Sequence, residues 1–409
     1  MGNRQILHSI RTVFVVVLLT TAAFASSAKV IYSFSGGPDG QYPDTDLVMD
    51  KAGNIYGTAV QGGNHNIGAV WELSPSQGGW TETTLYSFTG GRDGGQPYKG
   101  VTLGPDGSIY GTAVVGGKGG ACEDGCGVVY RLTNSGGKWK QSVIHNFTGP
   151  DGQGPGAGVT FDKKGNLYGM TPTGGPNGFG VIYRLKPRPD GTWKFTIIHA
   201  FTGGNDGVTG SAGRMILDKA GNLYGTATVG GKHGDGTVFK LKHTPTGWTL
   251  KTLYAFKGEP DGAFPYSGVI FDKAGNLYGV TYYDGEHEVG AVYQLSPQPG
   301  GGWKERVLHS FGDGPDGGSS TATLVFDNAG NLYGTTSEGG DAECNCGTIF
   351  KLTPGDNGTW TESTEYRFTG NPDAGVAYNG MVKDAAGNLY GVTVHGGNHN
   401  AGAVFQFVP

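Results

Sequence analysis

Past residue 28 the chain contains no apolar run long enough to cross a membrane, which takes roughly 20 residues. It also lacks an excess of positive charge: 29 Lys and Arg stand against 34 Asp and Glu, a net charge of −5. Nucleic acid requires a basic face, so that balance argues against it as a partner. No glycine-rich phosphate loop opens a helix, and no Gly-x-Ser-x-Gly elbow precedes one. Nothing therefore points to a nucleotide, to any other cofactor, or to a serine hydrolase. Collagen is excluded as well, because the glycines follow no strict Gly-X-Y period and 20 prolines are too few.

What is abundant is glycine, 80 of 409 residues, about three times its usual share. Each glycine inside a helix costs roughly 1 kcal/mol relative to Ala, so a helical protein is excluded. The 20 Tyr, 19 Phe and 7 Trp are enough to build a core. An all-β chain of short strands and tight turns remains.

Residues 1–28 read as a signal peptide. Arg4 and Arg11 supply the basic start, Val13–Ala25 is apolar, and Ala23 and Ala25 form an Ala-x-Ala site. Cleavage after Ala25 or after Ala28 fits, and no cysteine lies near the cut. The mature chain keeps 27 Lys and Arg against 34 Asp and Glu, a net charge of −7. A secreted protein, extracellular or periplasmic, is expected.

One phrase, Asp-x-x-Gly-Asn-Leu/Ile-Tyr-Gly, organises the rest. It stands at Asp50, Asp162, Asp218, Asp272, Asp327 and Asp384, with a weaker copy at Gly104–Gly111. Its tyrosines (Tyr56, Tyr110, Tyr168, Tyr224, Tyr278, Tyr333 and Tyr390) are 54, 58, 56, 54, 55 and 57 residues apart. Each unit reads as four strands: a short apolar strand, a hairpin turn, Leu-Tyr-Gly-Thr, then a strand such as GTVFKL and one such as WTETTLYSF. Four strands per unit of about 55 residues predict a propeller blade, and seven units predict a seven-bladed β-propeller over residues 29–409. The last unit lacks its fourth strand, and Val30–Phe34 (VIYSF) is a fourth strand without a unit, so the N-terminal strand is expected to complete the last blade.

These motifs, with the Gly-Gly loop, Gly-x-Val-Phe-x-Leu and the Phe-x-Gly-x-x-Asp-Gly turn, resemble the GloVer tandem-repeat family of secreted or surface-anchored bacterial proteins. More distantly they are similar to NHL-type propellers, which include both binding scaffolds and lyases. Family members often carry a C-terminal anchor; only two residues follow Phe407, so release is expected here. The resemblance transfers no catalytic residue.

Residues that break the repeat on the loop-rich face are the functional candidates. Five positions after the turn Asp lie Asp44, Tyr98, Gly156, Tyr266, Thr321 and Tyr378, beside the expected channel mouth. Tyr98, Tyr266 and Tyr378 offer flat faces to a sugar, unless they merely cover neighbouring loops. Blade 5 carries Tyr282, Tyr283, Asp284, Glu286, His287 and Glu288 where other blades have Gly-Gly. That group suits ligand binding or acid–base work, or is a solvated loop. His65, His395 and His399 fall on loops of blades 1 and 7; a blade width between them argues against a shared metal. The turn aspartates Asp39, Asp93, Asp151, Asp206, Asp261, Asp316 and Asp373 read as caps of their own turns, since one Asp per loop is a poor calcium cage. Cys122, Cys126, Cys344 and Cys346 are expected to pair locally, because blades 2 and 6 lie on opposite sides of the ring.

The reading is a monomeric, secreted binding module for an extracellular glycan or a surface protein. The alternatives are a lyase or hydrolase acting on carbohydrate or lactone, and a structural protein without ligand.

Overall fold

The computed structural model describes residues 27–210, 213–312 and 314–409. The expected signal peptide lies outside the described residues except for Ser27 and Ala28. Among the described residues there is no α-helix, and the chain forms seven four-stranded antiparallel sheets arranged as the blades of a ring.

Blade 1 shows the plan: Val48–Met49 innermost, then Ile55–Ala59, Ala69–Ser76 and, outermost, Gly79–Ser87. The second strand is buried along its whole length because neighbouring blades cover both its faces. The outermost strand alternates between exposed and half-buried positions. Blade 4 adds a short strand, Val208–Gly210, against Leu223–Val229. Every pairing between third and outermost strand carries a bulge at the same place. The bulge strengthens the local twist, as each blade needs to match its neighbour.

Blade 7 is built from Val382–Lys383, Leu389–Thr393 and Ala403–Val408, with Ser27–Ser33 as its outermost strand. Val30 stands opposite Phe405, and Ser27 and Ala28 opposite Val408 and Phe407. Seven apolar clusters form the core, one at each seam between adjacent blades. The seam between blades 7 and 1 unites Phe34, Trp71, Tyr390 and Val404.

The repeated phrase is explained by one carboxylate. Asp162 Oδ1 accepts the backbone N–H of Lys164 (2.8 Å) and Asn166 (2.9 Å). Its Oδ2 accepts the Asn166 amide (2.7 Å) and the Tyr168 hydroxyl (3.0 Å). Asp, Asn and Tyr are thus one hydrogen-bonded unit that pins the hairpin to the second strand. The glycine after the tyrosine has a different cause: a ring of the third strand lies across it. At Gly169 a methyl group would collide with the Tyr183 ring, and at Gly391 with Phe405. We expect Gly391→Ala to cost about 1–3 kcal/mol by overpacking. Chemical denaturation checks this; an unchanged midpoint would show that the seam can yield.

The turn aspartates cap their own loops and also tie down the strand before them. Asp39 accepts the Tyr32 hydroxyl (2.8 Å) and the Ser35 N–H (2.8 Å). In blades 2, 3 and 5 the strand donor is His instead: His145 lies 2.9 Å from Asp151, His199 3.0 Å from Asp206, and His309 3.2 Å from Asp316.

Candidate functional site

The connections from each outermost strand to the next innermost strand carry the residues that line the axis. Six of the seven turn through a left-handed residue three positions after the turn Asp, and in five of them it is not glycine: Tyr42 (φ 53°), Gln96 (53°), Phe264 (55°), Ser319 (54°) and Val376 (62°). Such backbone is costly for non-glycine residues, above all for β-branched Val. Held in that shape, the two or three residues that follow meet at the centre.

Three blades converge there. Lys99 Nζ from blade 2 donates to Asp44 Oδ1 of blade 1 (2.8 Å) and to Asn379 Oδ1 of blade 7 (2.9 Å). Asn379 Nδ2 closes the triangle on Asp44 Oδ1 at 2.9 Å. None of these bonds uses Asp44 Oδ2. Lys99 itself has φ 54°, fixed by its N–H bond to the Asp44 carbonyl (3.0 Å). Burial works against the Lys99 ammonium, but Asp44 and Asp46 outweigh it and hold its pKa above the ordinary lysine value.

Tyr98 and Tyr378 flank this triangle. Burial first, and then the Asp44 charge, raises the pKa of both phenols, so both stay neutral donors at physiological pH. Tyr378 also feels Glu338 of blade 6, as does Tyr282 of blade 5, whose phenol burial pushes up to about 12. Glu338 accepts the Ser319 hydroxyl at 3.0 Å. Tyr282 packs edge-on against Tyr266 (5.4 Å) and Tyr283 (4.5 Å), and Tyr283 against Phe264 (5.9 Å). Tyr266 and Tyr283 are 38% and 47% exposed, which leaves ring area open to a ligand. The tyrosines singled out by the repeat thus fall into two groups, joined through Glu338.

The remaining candidates stand apart. Asp284 has φ 58°, so it occupies a conformation that suits the glycine it replaces. Burial, then Asp235, Glu259 and Glu288, raises its pKa. His287 is exposed on the same loop. His65 and His399 are exposed at loop tips, and His395 lies edge-on to Tyr42 at 5.5 Å. The GGNHN loops are closed by their second Asn: Asn66 Oδ1 accepts the Gly62 N–H (3.1 Å) and Asn400 Oδ1 the Gly396 N–H (2.9 Å). Among the described residues no group of three or more His, Cys, Asp and Glu is arranged to hold a metal. Cys122 is joined to Cys126, with Cα atoms 5.2 Å apart, and Cys344 lies beside Cys346 at 5.1 Å.

A second layer lies deeper in the channel and was not among the candidates. Two residues before the partner of each repeat tyrosine stand Asp46, Gly100, Gly158, Arg214, Gly268, Thr323 and Gly380. The glycines let the blades close in: a methyl at Gly380 would strike the Thr323 carbonyl, and one at Gly158 the Arg214 guanidinium. Arg214 crosses the axis to donate to the Val101 carbonyl at 2.9 Å, while its Nε is buried without a partner. It shares a cavity of about 160 Å³ with Asp46. Burial raises the Asp46 carboxyl, opposed by Arg214 and Lys99, and burial lowers Arg214, opposed by Asp46. Two charged residues at a position that is otherwise Gly or Thr were a signal readable from the repeat.

Among the described residues no helix is long and apolar enough to cross a membrane. No curated protein matches the chain. Solved structures of similar shape include a protein of unknown function from Dyadobacter fermentans. It is 13% identical, with a TM-score of 0.43, over 82% of this chain and 96% of that one. Another is a proposed oxidoreductase (glucose dehydrogenase) from Thermus thermophilus, 14% identical, TM-score 0.42, over 94% and 100%. A third is an arginine-to-alanine triple mutant of AofleA from Arthrobotrys oligospora, 11% identical, TM-score 0.44, over 83% and 90%. The model of the Gloeobacter/Verrucomicrobia repeat matches residues 118–312 and 211–409. With its repeated blades and that match over more than half its length, the chain belongs to the Gloeobacter/Verrucomicrobia repeat family.

Proposed function

We propose that the protein is an exported binding module that holds an extracellular glycan at the channel mouth. One observation carries this reading. Tyr98 and Tyr378 flank a polar triangle whose Asp44 keeps a carboxylate oxygen outside the triangle's own bonds, with Tyr266 and Tyr282 continuing the aromatic surface. Flat rings with polar tips beside a fixed acceptor suit a sugar, which presents C–H faces and hydroxyl edges. A lyase or hydrolase needs a free base within reach of its substrate. Here Lys99 is held protonated and Asp44 is bonded to it.

In this reading residues 1–28 direct export and are removed, leaving residues 29–409 or a slightly longer chain as the binding unit. Cleavage after Ala25 keeps the pairing of Ser27 and Ala28 with the last strand intact; cleavage after Ala28 trims it.

A glycan array probed with the parent and with a Tyr98→Ala/Tyr266→Ala variant tests the site. The expected result is a defined set of bound glycans whose affinity falls at least tenfold in the variant. Equal binding by both proteins removes the mouth as the site.

A further inference from the structure

The face opposite the mouth, where the hairpin turns emerge, holds a groove of about 550 Å³ between blades 3 and 4. That volume is within the range of small-ligand sites, roughly 300–1,000 Å³. No ring of the innermost strand covers the repeat tyrosine at this seam. At the seams between blades 2 and 3, 4 and 5, and 5 and 6, a Phe at the end of the innermost strand stacks edge-on against the repeat tyrosine of the preceding blade. The pairs are Tyr110 with Phe161 (4.9 Å), Tyr224 with Phe271 (5.0 Å) and Tyr278 with Phe326 (5.2 Å). Blade 4 has Leu217 at that position, as blades 1, 2 and 7 have Met49, Leu103 and Lys383, and the space beside Tyr168 is open.

What sets the groove apart is its charge. The third-strand residue opposite the repeat tyrosine usually satisfies itself on its own hairpin. Arg131 pairs with Asp106 (2.5 Å), Lys240 lies 3.7 Å from Asp218, and Gln406 donates to the Tyr390 hydroxyl (3.0 Å). Arg184 holds that register opposite Tyr168, yet its Nε is buried and makes no hydrogen bond. Its natural acceptor, Asp162, is already bonded through both oxygens to the hairpin and Tyr168. Lys163, Lys164 and Lys219 complete the lining, and among the described residues none of them has an ion-pair partner. Asp218, the other carboxylate present, is spent in the same way on its own hairpin. Four cations therefore face two internally bonded carboxylates, on a chain whose net charge is −5. Trp248 stands at the side of the groove, edge-on to Tyr168 (5.9 Å) and to His243 (5.0 Å).

We infer that this groove is a second binding site, for an anionic saccharide carrying a carboxylate or a sulfate. Arg184 supplies a fork of donors to the anion, the lysines around it add long-range attraction, and the indole of Trp248 takes the sugar face. The site is independent of the mouth, from which it is separated by the thickness of the ring.

Calorimetric titration at low salt tests it, with digalacturonate and a sulfated chondroitin disaccharide as probes. Maltose, sodium sulfate and AMP are the controls. At least one of the two anionic sugars is expected to bind, and which one identifies the anion. Arg184→Gln is expected to weaken that binding at least tenfold, and Trp248→Leu about as much, with thermal midpoints near the parent's. Should Trp248→Leu unfold, the surface variant Lys219→Gln, expected to weaken binding severalfold, takes its place. The mouth variant Tyr98→Ala/Tyr266→Ala should bind like the parent. No binding by either sugar, or binding unchanged by Arg184→Gln, overturns the site. Sulfate, AMP or maltose bound as tightly as the anionic sugar overturns the saccharide assignment.

Discussion

Removing residues 29–34 is expected to abolish stable folding. Phe34 is fully buried against Trp71 (5.4 Å between rings) in the seam of blades 7 and 1. Ile31 and Tyr32 pack into the same cluster, and Val30 into the seam of blades 6 and 7. These four side chains together contribute on the order of 5–10 kcal/mol, taking the three half-buried ones at a fraction of full burial. A domain's whole stability is of that size. The deletion also strips the partner from Ala403–Val408, leaving an unpaired apolar edge open to aggregation. Circular dichroism and a urea titration of the shortened chain give the answer. A cooperative transition within about 1 M of the parent midpoint would mean that the ring stands without this strand.

How much of this could be read from the sequence depended on how far apart the interacting residues lie. Asp162, Asn166 and Tyr168 are four and six residues apart, so their hydrogen-bonded unit leaves a fixed spacing in the chain and the repeat declares itself. The separation of Tyr98, Tyr266 and Tyr378 from their equivalents Gly156 and Thr321 is visible for the same reason. Lys99 and Asn379 are not, because their bond spans 280 residues and each sits one position past the tyrosine that draws attention. Arg184 is hidden differently. Arg131 and Lys240 occupy the same register and reach the Asp of their own hairpin, whereas Arg184 does not, and that difference of side-chain placement leaves no mark in the sequence. The histidines His65 and His399 stand out by type; the GGNHN loops are closed by their asparagines, and the imidazoles face solvent.

Stability should fall as pH rises from about 4.5 to 7, and a triple variant, Glu82→Gln/Glu305→Gln/Glu362→Gln, should remove much of that loss. These glutamates share one register position on the outermost strands of blades 1, 5 and 6, each opposite a buried Leu. Burial pushes each carboxyl up to about 7, with Thr84 and Thr364 hydroxyls opposing at Glu82 and Glu362, and Asp39, Asp261 or Asp316 adding repulsion. Glu305 Oε1 is buried with no partner at all. In blade 2 the same position is Gln141, and its amide donates to the Asp93 carbonyl at 2.9 Å. A carboxyl whose folded pKa is raised holds its proton longer in the folded chain than in the unfolded one. Its contribution is full below the unfolded value near 4.5 and is lost as pH climbs through the folded value. Partial exposure reduces the effect to about 1–2 kcal/mol per site, or roughly 3–6 kcal/mol for three. His199 and His309 run the other way. Burial lowers their pKa against the pull of Asp206 and Asp316, so they destabilise the fold as pH falls below 6.5. The comparison therefore belongs at pH 8, where both imidazoles are neutral in either state. There the triple variant should be several kcal/mol more stable than the parent, with the gap narrowing toward pH 5. Gln141→Glu should show the reverse, a loss at pH 8 that is small at pH 5. A gap that does not depend on pH would show that packing, and not the buried charge, governs these positions.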